Sequence, residues 1–295
     1  MSPYSTDLPI SHAGHTSRIL RFAGAVRSSA YLFTFTIYIS AVMGLAQRLV
    51  IWPAMLLLPS RRRSIVRAWL GLQARVTLAL ARAIANVRVS VQGSIGSESC
   101  IVVMNHQSVL DIPIGISLVR GPYPLIPTRD RYQWGIPGIS PLVRLARFPV
   151  VSQKRALSRA ELAGLTSAAD QVARGEQSLL IFPEGHRSRD GKIGRFMRSG
   201  LRIVLTHAKR PVYCVVASGI QNARTFADVL VSFADLDVRV AVLGPLAPPD
   251  DDSVDDFIDS LHDRMALALA ELGSESCHAT PIQQVSSAAD SVADR

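Results

Sequence analysis

Cys100–Asp111 reads CIVVM followed by NHQSVLD, and Ser178–Ser188 reads SLLIF followed by PEGHRS. In each, a short apolar run rich in β-formers breaks directly into residues that carry chemistry. Runs of the same texture recur from about Val87 onward: VRVSVQG (87–93), FPVVS (148–152), PVYCVVAS (211–218) and VRVAVLG (238–244). Helix-like stretches lie between them. Ser158–Arg174 opens with Ser158 as N-cap and Glu161 completing a capping box, and Gly200–Ala208 is a shorter one. Alternation of this kind predicts an α/β domain with a mixed, mostly buried sheet flanked by helices. After Gly244, PLAPPDDDSVDDFIDS leads into a last helix from about Ser253 to Leu272, its acids near the N-terminus where the helix dipole favours them.

Composition bounds the reading. Of 295 residues 48% are apolar and 19% charged, enough for a sizeable core and too apolar for general disorder. Three cysteines, Cys100, Cys214 and Cys277, form no C-x-x-C pair, which excludes a disulfide scaffold or zinc ribbon and fits a reduced, cytoplasmic compartment. The net charge of +9 is unevenly spread. Residues 1–100 carry 11 Arg against 2 acids, residues 101–210 carry 17 basic groups against 7, and residues 211–295 carry 4 against 14. The first two thirds should therefore seek an anionic partner, with nucleic acid, lipid headgroups and CoA-type ligands as candidates.

The N-terminal segment favours the membrane. Residues 28–47 form 20 uncharged positions, about 30 Å of helix, close to the hydrocarbon thickness of a bilayer. A second apolar run, Leu49–Ser60, is too short to cross and holds Pro53 and Pro59. The triplet Arg61, Arg62, Arg63 follows, and no small-residue cleavage site precedes it, which argues against a secretory leader. The expectation is a membrane anchor, either one span or a re-entrant pair of helices in one leaflet. A buried core helix is the alternative. Arg48, Arg61, Arg62, Arg63 and Arg67 outweigh Arg18, Arg21 and Arg27, placing the following domain on the cytoplasmic face. Ile65, Trp69, Leu72, Val76, Leu80 and Ala83 share one helix face, as an interfacial helix or one packed on its own domain would have. If residues 1–60 alone hold the chain to the bilayer, their removal should leave a soluble remainder.

Two clusters carry the chemistry. His106 follows a strand's carboxyl end, where open α/β sheets place ligands. Asp111, five residues on, can accept from one imidazole nitrogen, fix the tautomer and leave the other as a base. In the second cluster Pro183 stops the strand, Gly185 permits a tight turn, and Arg187 offers a planar fork suited to phosphate. Glu184 beside that fork could orient Arg187 or hold a substrate hydroxyl. Arg187, Arg189, Lys192, Arg195, Arg198 and Arg202 form a basic run, open to reading as solvated surface. With no second histidine at ligand spacing, no metal is expected. No G-x-G-x-x-G, Walker loop or G-x-S-x-G elbow occurs, which weighs against dinucleotide and nucleotide-triphosphate binding and against a thioester hydrolase. Aromatics do not interleave with the basic residues, so no nucleic-acid partner is expected.

Together these residues resemble the glycerolipid acyltransferase family, lysophosphatidate acyltransferase type. Its first block, N-H-x-x-x-x-D, is matched by Asn105, His106 and Asp111. Its block F-P-E-G-T-R-S is matched at Phe182, Pro183, Glu184, Gly185, Arg187 and Ser188, with His186 in place of Thr. Between them, RFPVVSQKR (147–155) is similar to the family's second block, with Lys154 or Arg155 at the arginine position. In a fourth block Pro211 stands and Cys214 replaces a second proline. The resemblance covers about residues 85–220, and the apolar N-terminus is also typical.

The resemblance implies an acyl transfer without cofactor, the co-substrate being acyl-CoA or acyl carrier protein. His106 would take the proton of the acceptor hydroxyl and Asp111 would hold the imidazole, so Cys214 and Ser108 need not act. Glu184, Gly185 and Arg187, with Arg155 or Lys154, would grip the phosphate of a lysophospholipid acceptor, with Asn105, Pro183 and Ser188 in support. The acceptor implied is 1-acylglycerol-3-phosphate, giving phosphatidate in phospholipid biosynthesis. Lyso-ornithine lipid or another lysophospholipid stays open, as does a non-catalytic binder of anionic membrane lipid. The expected organisation is a flexible leader 1–27, membrane-anchoring and interfacial helices 28–85, an acyltransferase domain 86–272 and a disordered tail 273–295. The expected location is the cell inner membrane.

Overall fold

The computed structural model describes residues 12–152, 157–188, 190–220, 230 and 232–274, with side chains from Arg21 onward. Lys154, Arg155, Arg189 and most of the expected tail lie outside the described residues.

The described residues open in helix at His12, inside the segment expected as a leader. Helix α1 (His12–Ile37) continues through a π-helical turn at Tyr38–Met43, α2 (Gly44–Ala46), a second π turn at Gln47–Ile51 and α3 (Trp52–Leu57). The apolar part, Arg21–Leu57, is 37 residues long, about 55 Å of helix. Its inward side chains recur every fourth residue: Tyr31, Phe35, Ile39, Met43, Gln47, Ile51 and Met55. On an α-helix of 3.6 residues per turn such a repeat drifts by about 40° each turn, and the wider π turns take up that drift. The second π turn also lies just ahead of Pro53, whose ring disrupts α-helical bonding.

This helical stretch belongs to the domain's packing. Tyr31 stacks on Phe233 at 4.4 Å, and Ser28 Oγ accepts the N–H groups of Phe233 (3.1 Å) and Ala234 (2.9 Å). Gly138, at φ +73°, brings its backbone so close to Ile39 that a Cβ there would lie 2.1 Å from the Ile39 carbonyl oxygen. Tyr31 and Met55 join the main core cluster. Deleting residues 1–60 would therefore remove core side chains as well as the exposed apolar ones. The other side of the same stretch stays bare, with Phe33, Ile37, Val42, Leu45, Leu49, Trp52 and Leu57 all exposed.

Helix α4 (Arg62–Ala85) packs on α1 and α5 and buries Val66, Leu70, Ala74, Ala81 and Ala85, a line beside the stripe expected from hydropathy. Of that stripe Trp69 is buried, while Leu72 is exposed and Ile65 and Leu80 are half-covered. Small alanines admit the close approach, which a hydropathy pattern underweights. The α/β part then runs β1 (Arg88–Gln92), β2 (Ile101–Met104), α5 (Asp111–Leu118), β3 (Pro124–Leu125), β4 (Thr128–Arg129) and α6 (Ile139–Ala146). It continues with β5 (Val150–Val151), α7 (Arg159–Ala173), β6 (Ser178–Ile181), α8 (Arg198–His207), β7 (Val212–Ser218), β8 (Asp237–Leu246) and α9 (Val254–Ser274).

The main sheet has the order β1-β8-β7-β2-β6-β3 and is parallel except where β8 meets β7, so it is mixed. β2 and β6 are buried along their whole length, as their unalternating apolar runs require. Helix α7 starts on the expected capping box: Glu161 N–H donates to Ser158 Oγ (3.3 Å), and Ser158 N–H donates to Glu161 Oε2 (2.7 Å). Of the run 148–152 only Val150–Val151 pairs, with β4 in a separate two-stranded sheet. Helix α9 extends to Ser274, two residues into the segment expected as tail.

Candidate active site

β2, β6 and β7 are parallel neighbours, so their carboxyl ends emerge on one edge of the sheet. Asn105 continues β2 beside β7: its Nδ2 donates to Ala217 O (2.9 Å) and its Oδ1 accepts Ala217 N–H (2.8 Å). His106 follows, and its backbone is laced to the loop after β6. His106 N–H donates to Glu184 Oε1 (2.9 Å), and Ser188 N–H donates to His106 O (2.7 Å). The two motifs thus face each other.

The His106 Nδ1 lies 2.8 Å from Asp111 Oδ2. That oxygen also accepts the N–H groups of Gln107 (2.6 Å) and Ser108 (2.7 Å). Asp111 is fully buried and opens α5, its Oδ2 fixed by those two backbone donors. A charged carboxylate only accepts, so Nδ1 carries the proton, and in the neutral imidazole Nε2 is left with a lone pair. The Phe182 ring, 4.5 Å from the imidazole, holds it from the side. The imidazole is 17% exposed, enough for a reactant to reach it.

His106 opens onto a cavity of about 660 Å³ whose wall also carries Arg129, Arg131 and Arg187. Apolar walls come from Ile112, Ile126, Leu165 and Ile181. Arg129 Nη2 donates to Gly185 O at 2.8 Å, which fixes its fork beside the turn. Burial, then the like charges of Arg131 and Arg187, hold the Arg129 guanidinium below its ordinary value. Converging cations in a half-buried wall are stabilised by an anion, and three forks suit a phosphate. Gly185 adopts φ +67°, and a Cβ there would fall 2.3 Å from Met197 Sδ, so this turn requires glycine.

Glu184 corrects the sequence reading. It is 1% exposed and does not line the cavity. One oxygen takes His106 N–H and the other takes Gly194 N–H (2.8 Å). Burial raises its carboxyl above the ordinary value against those two donors. Glu184 therefore ties the two loops together through backbone amides, and its carboxylate is buried behind the cavity wall. Ser188 is likewise a turn residue, its Oγ donating to Lys192 O (2.8 Å) and accepting Gly191 N–H (3.0 Å). Pro183 is buried and its carbonyl accepts Met197 N–H (2.7 Å).

Arg129 and Arg131 were not legible in sequence. They sit in TRDRY (128–132), on and after a strand of two residues, and only the pairing of β4 with β5 brings them to the cavity. Cys214 lies buried in β7 with its thiol pushed up to about 12 by burial, so it is no nucleophile. Among the described residues no three His, Cys, Asp or Glu side chains converge as a metal site would require.

A paired imidazole and carboxylate on the edge of an α/β sheet, beneath a cationic cavity, equip a domain for acyl or phosphoryl chemistry on an anionic substrate. Residues 85–218 match the family model described as Acyltransferase. A stretch of 104 residues is 33% identical to the chloroplastic 1-acyl-sn-glycerol-3-phosphate acyltransferase BAT2 of Brassica napus. That match covers 35% of this chain and 28% of the relative, so the chain spans well under half of that protein's length. The crystal structure of the 1-acyl-sn-glycerophosphate acyltransferase PlsC from Thermotoga maritima superposes with a TM-score of 0.65 at 22% identity. It covers 86% of this chain and 98% of that one, and it establishes the shared fold.

Proposed function

We propose that the protein is an O-acyltransferase that moves a fatty acyl group from an acyl thioester to the free hydroxyl of 1-acylglycerol-3-phosphate, giving phosphatidate. The observation that carries this reading is the His106–Asp111 pair, 2.8 Å apart, opening onto the same cavity as Arg129, Arg131 and Arg187. The arginines receive the acceptor's phosphate, and the apolar wall receives chain carbons. With the acceptor hydroxyl at His106 Nε2, the nitrogen takes its proton while the oxygen bonds to the thioester carbonyl carbon. The tetrahedral intermediate then expels the thiolate, which recovers the proton from the imidazolium. Asp111 stabilises that cation as it forms, without itself being protonated. A positioned base of this kind contributes about 10² to 10⁴ in rate, and holding the two substrates together contributes at least as much. The donor is acyl-CoA or acyl carrier protein.

The protein associates with the membrane through its apolar N-terminal helix, and the exposed stripe supports a specific placement. One side of that helix is bound to the α/β domain from Ser28 to Met55, so it lies along the bilayer surface with its bare side in one leaflet. Of the two anchoring modes read from the sequence, this favours the one confined to one leaflet. The basic flank of Arg48 and Arg61–Arg63 favours the inner membrane's cytoplasmic face.

The test is an acceptor screen with the purified full chain. Lysophosphatidate, other lysophospholipids and lyso-ornithine lipid are offered with acyl-CoA or acyl carrier protein, and products are identified by mass spectrometry. Phosphatidate formed in preference to the others supports the assignment. Turnover confined to an acceptor without phosphate contradicts it.

A further inference from the structure

A second cavity, of about 460 Å³, lies away from His106, at the seam between the N-terminal helical stretch and α6. Its size falls in the roughly 300–1,000 Å³ range of ligand sites. Arg48, Arg62 and Arg144 line it as the charged residues, Arg62 Nη2 donating to Leu145 O (3.5 Å) and Arg144 Nη1 to Gln133 O (2.6 Å) with its guanidinium over the Trp134 ring, while Trp52, Met55 and Leu56 supply apolar wall. At its back is Gln47, 1% exposed, with neither Nε2 nor Oε1 hydrogen-bonded. A buried amide with both ends unmet has lost its water partners without gaining protein ones, so a side chain in this position calls for a partner. The inward repeat otherwise uses apolar residues at Ile39, Met43, Ile51 and Met55, which makes Gln47 the exception within it.

We infer that this cavity binds one anionic glycerophospholipid, independently of catalysis. The guanidinium forks hold its phosphate, the Gln47 amide pairs with its polar headgroup or ester oxygens, and its acyl chains leave along Trp52 and Leu56. Both of those side chains are exposed on the helix's bare side, so an acyl chain passes from the cavity to the leaflet without crossing water. The site rests on the membrane placement proposed above, but not on the acyl-transfer chemistry. A free phosphate would satisfy the arginines alone; the apolar exit favours the lipid.

Native mass spectrometry of the full chain, released from a neutral detergent, counts bound lipid directly. Phosphatidylglycerol, phosphatidylcholine and glycerol 3-phosphate are offered in turn. One phosphatidylglycerol per chain should be retained, phosphatidylcholine at least tenfold more weakly, and glycerol 3-phosphate should not displace the lipid. Gln47→Leu, which leaves the charge unchanged, and Arg144→Ala should each weaken retention at least tenfold. Arg88→Ala, an equal loss of charge on strand β1, should leave it as in the wild type. Unchanged retention in both cavity variants overturns the inference, as does displacement by glycerol 3-phosphate. Flotation with pure phosphatidylcholine vesicles reads the membrane placement separately, since it depends on the apolar stripe and not on this cavity.

Discussion

Arg187 and Arg129 approach the cavity by different routes. Arg187 stands in a contiguous motif whose fork, proline and glycine sit side by side in the chain. Arg129 arrives through a strand of two residues and a hydrogen bond to Gly185, a non-local arrangement that no local pattern announces. Glu184 shows the opposite failure: adjacency to Arg187 suggested a shared ligand, and only burial and the His106 and Gly194 amides reveal its task. If both arginines hold phosphate, Arg187→Ala and Arg129→Ala should each raise KM for lysophosphatidate about 10- to 100-fold with a smaller change in kcat, since a charge-assisted hydrogen bond contributes about 1.5–3 kcal/mol. Steady-state kinetics at saturating donor separates the two constants. An unchanged KM would remove the residue from the phosphate site.

Most elements of the α/β part were legible because each carries its own signal. The unalternating runs of β2 and β6 declare burial, and Ser158 with Glu161 declares the start of α7. β3 and β4 were not, because two residues give no period and tertiary pairing alone defines them, and pairing likewise trims the run 148–152 to the two residues of β5. Glu161 does more than cap. Hydrogen bonds from Ser158 first and Ser152 next hold its carboxyl at about 2, against an ordinary 4.5. A carboxyl depressed in the folded state lends stability above its unfolded value and loses it as pH falls toward the folded one. Stability should therefore decline between about pH 4.5 and 2, and Glu161→Gln, which retains the capping geometry, should flatten that part of the curve. Denaturant unfolding across this range checks it; an unaltered slope in the variant would show that other groups set the acid limb.

For the whole molecule, the apolar N-terminal helix packs into the core on one side and keeps on the other the bare stripe on which the proposed membrane placement rests. Hydropathy alone revealed a stretch long enough to cross a bilayer, and the four-residue repeat of buried positions reveals why it lies on the domain instead. Fluorescent labels on single cysteines at Phe33, Val42, Leu49 and Leu57 should all report the same shallow depth to lipid-borne quenchers. A graded series from one interface to the other would mean a span. With the helix in one leaflet, a lipid acceptor reaches the cavity from the surface, and everything then turns on one atom, Nε2 of His106. The most direct measurement is phosphatidate formation by His106→Ala beside the wild type, at saturating lysophosphatidate and acyl donor, with vesicle binding and melting recorded on the same samples. A loss of at least about 10²-fold, with membrane binding and melting unchanged, is the expected result. Turnover within a few-fold of the wild type would contradict it.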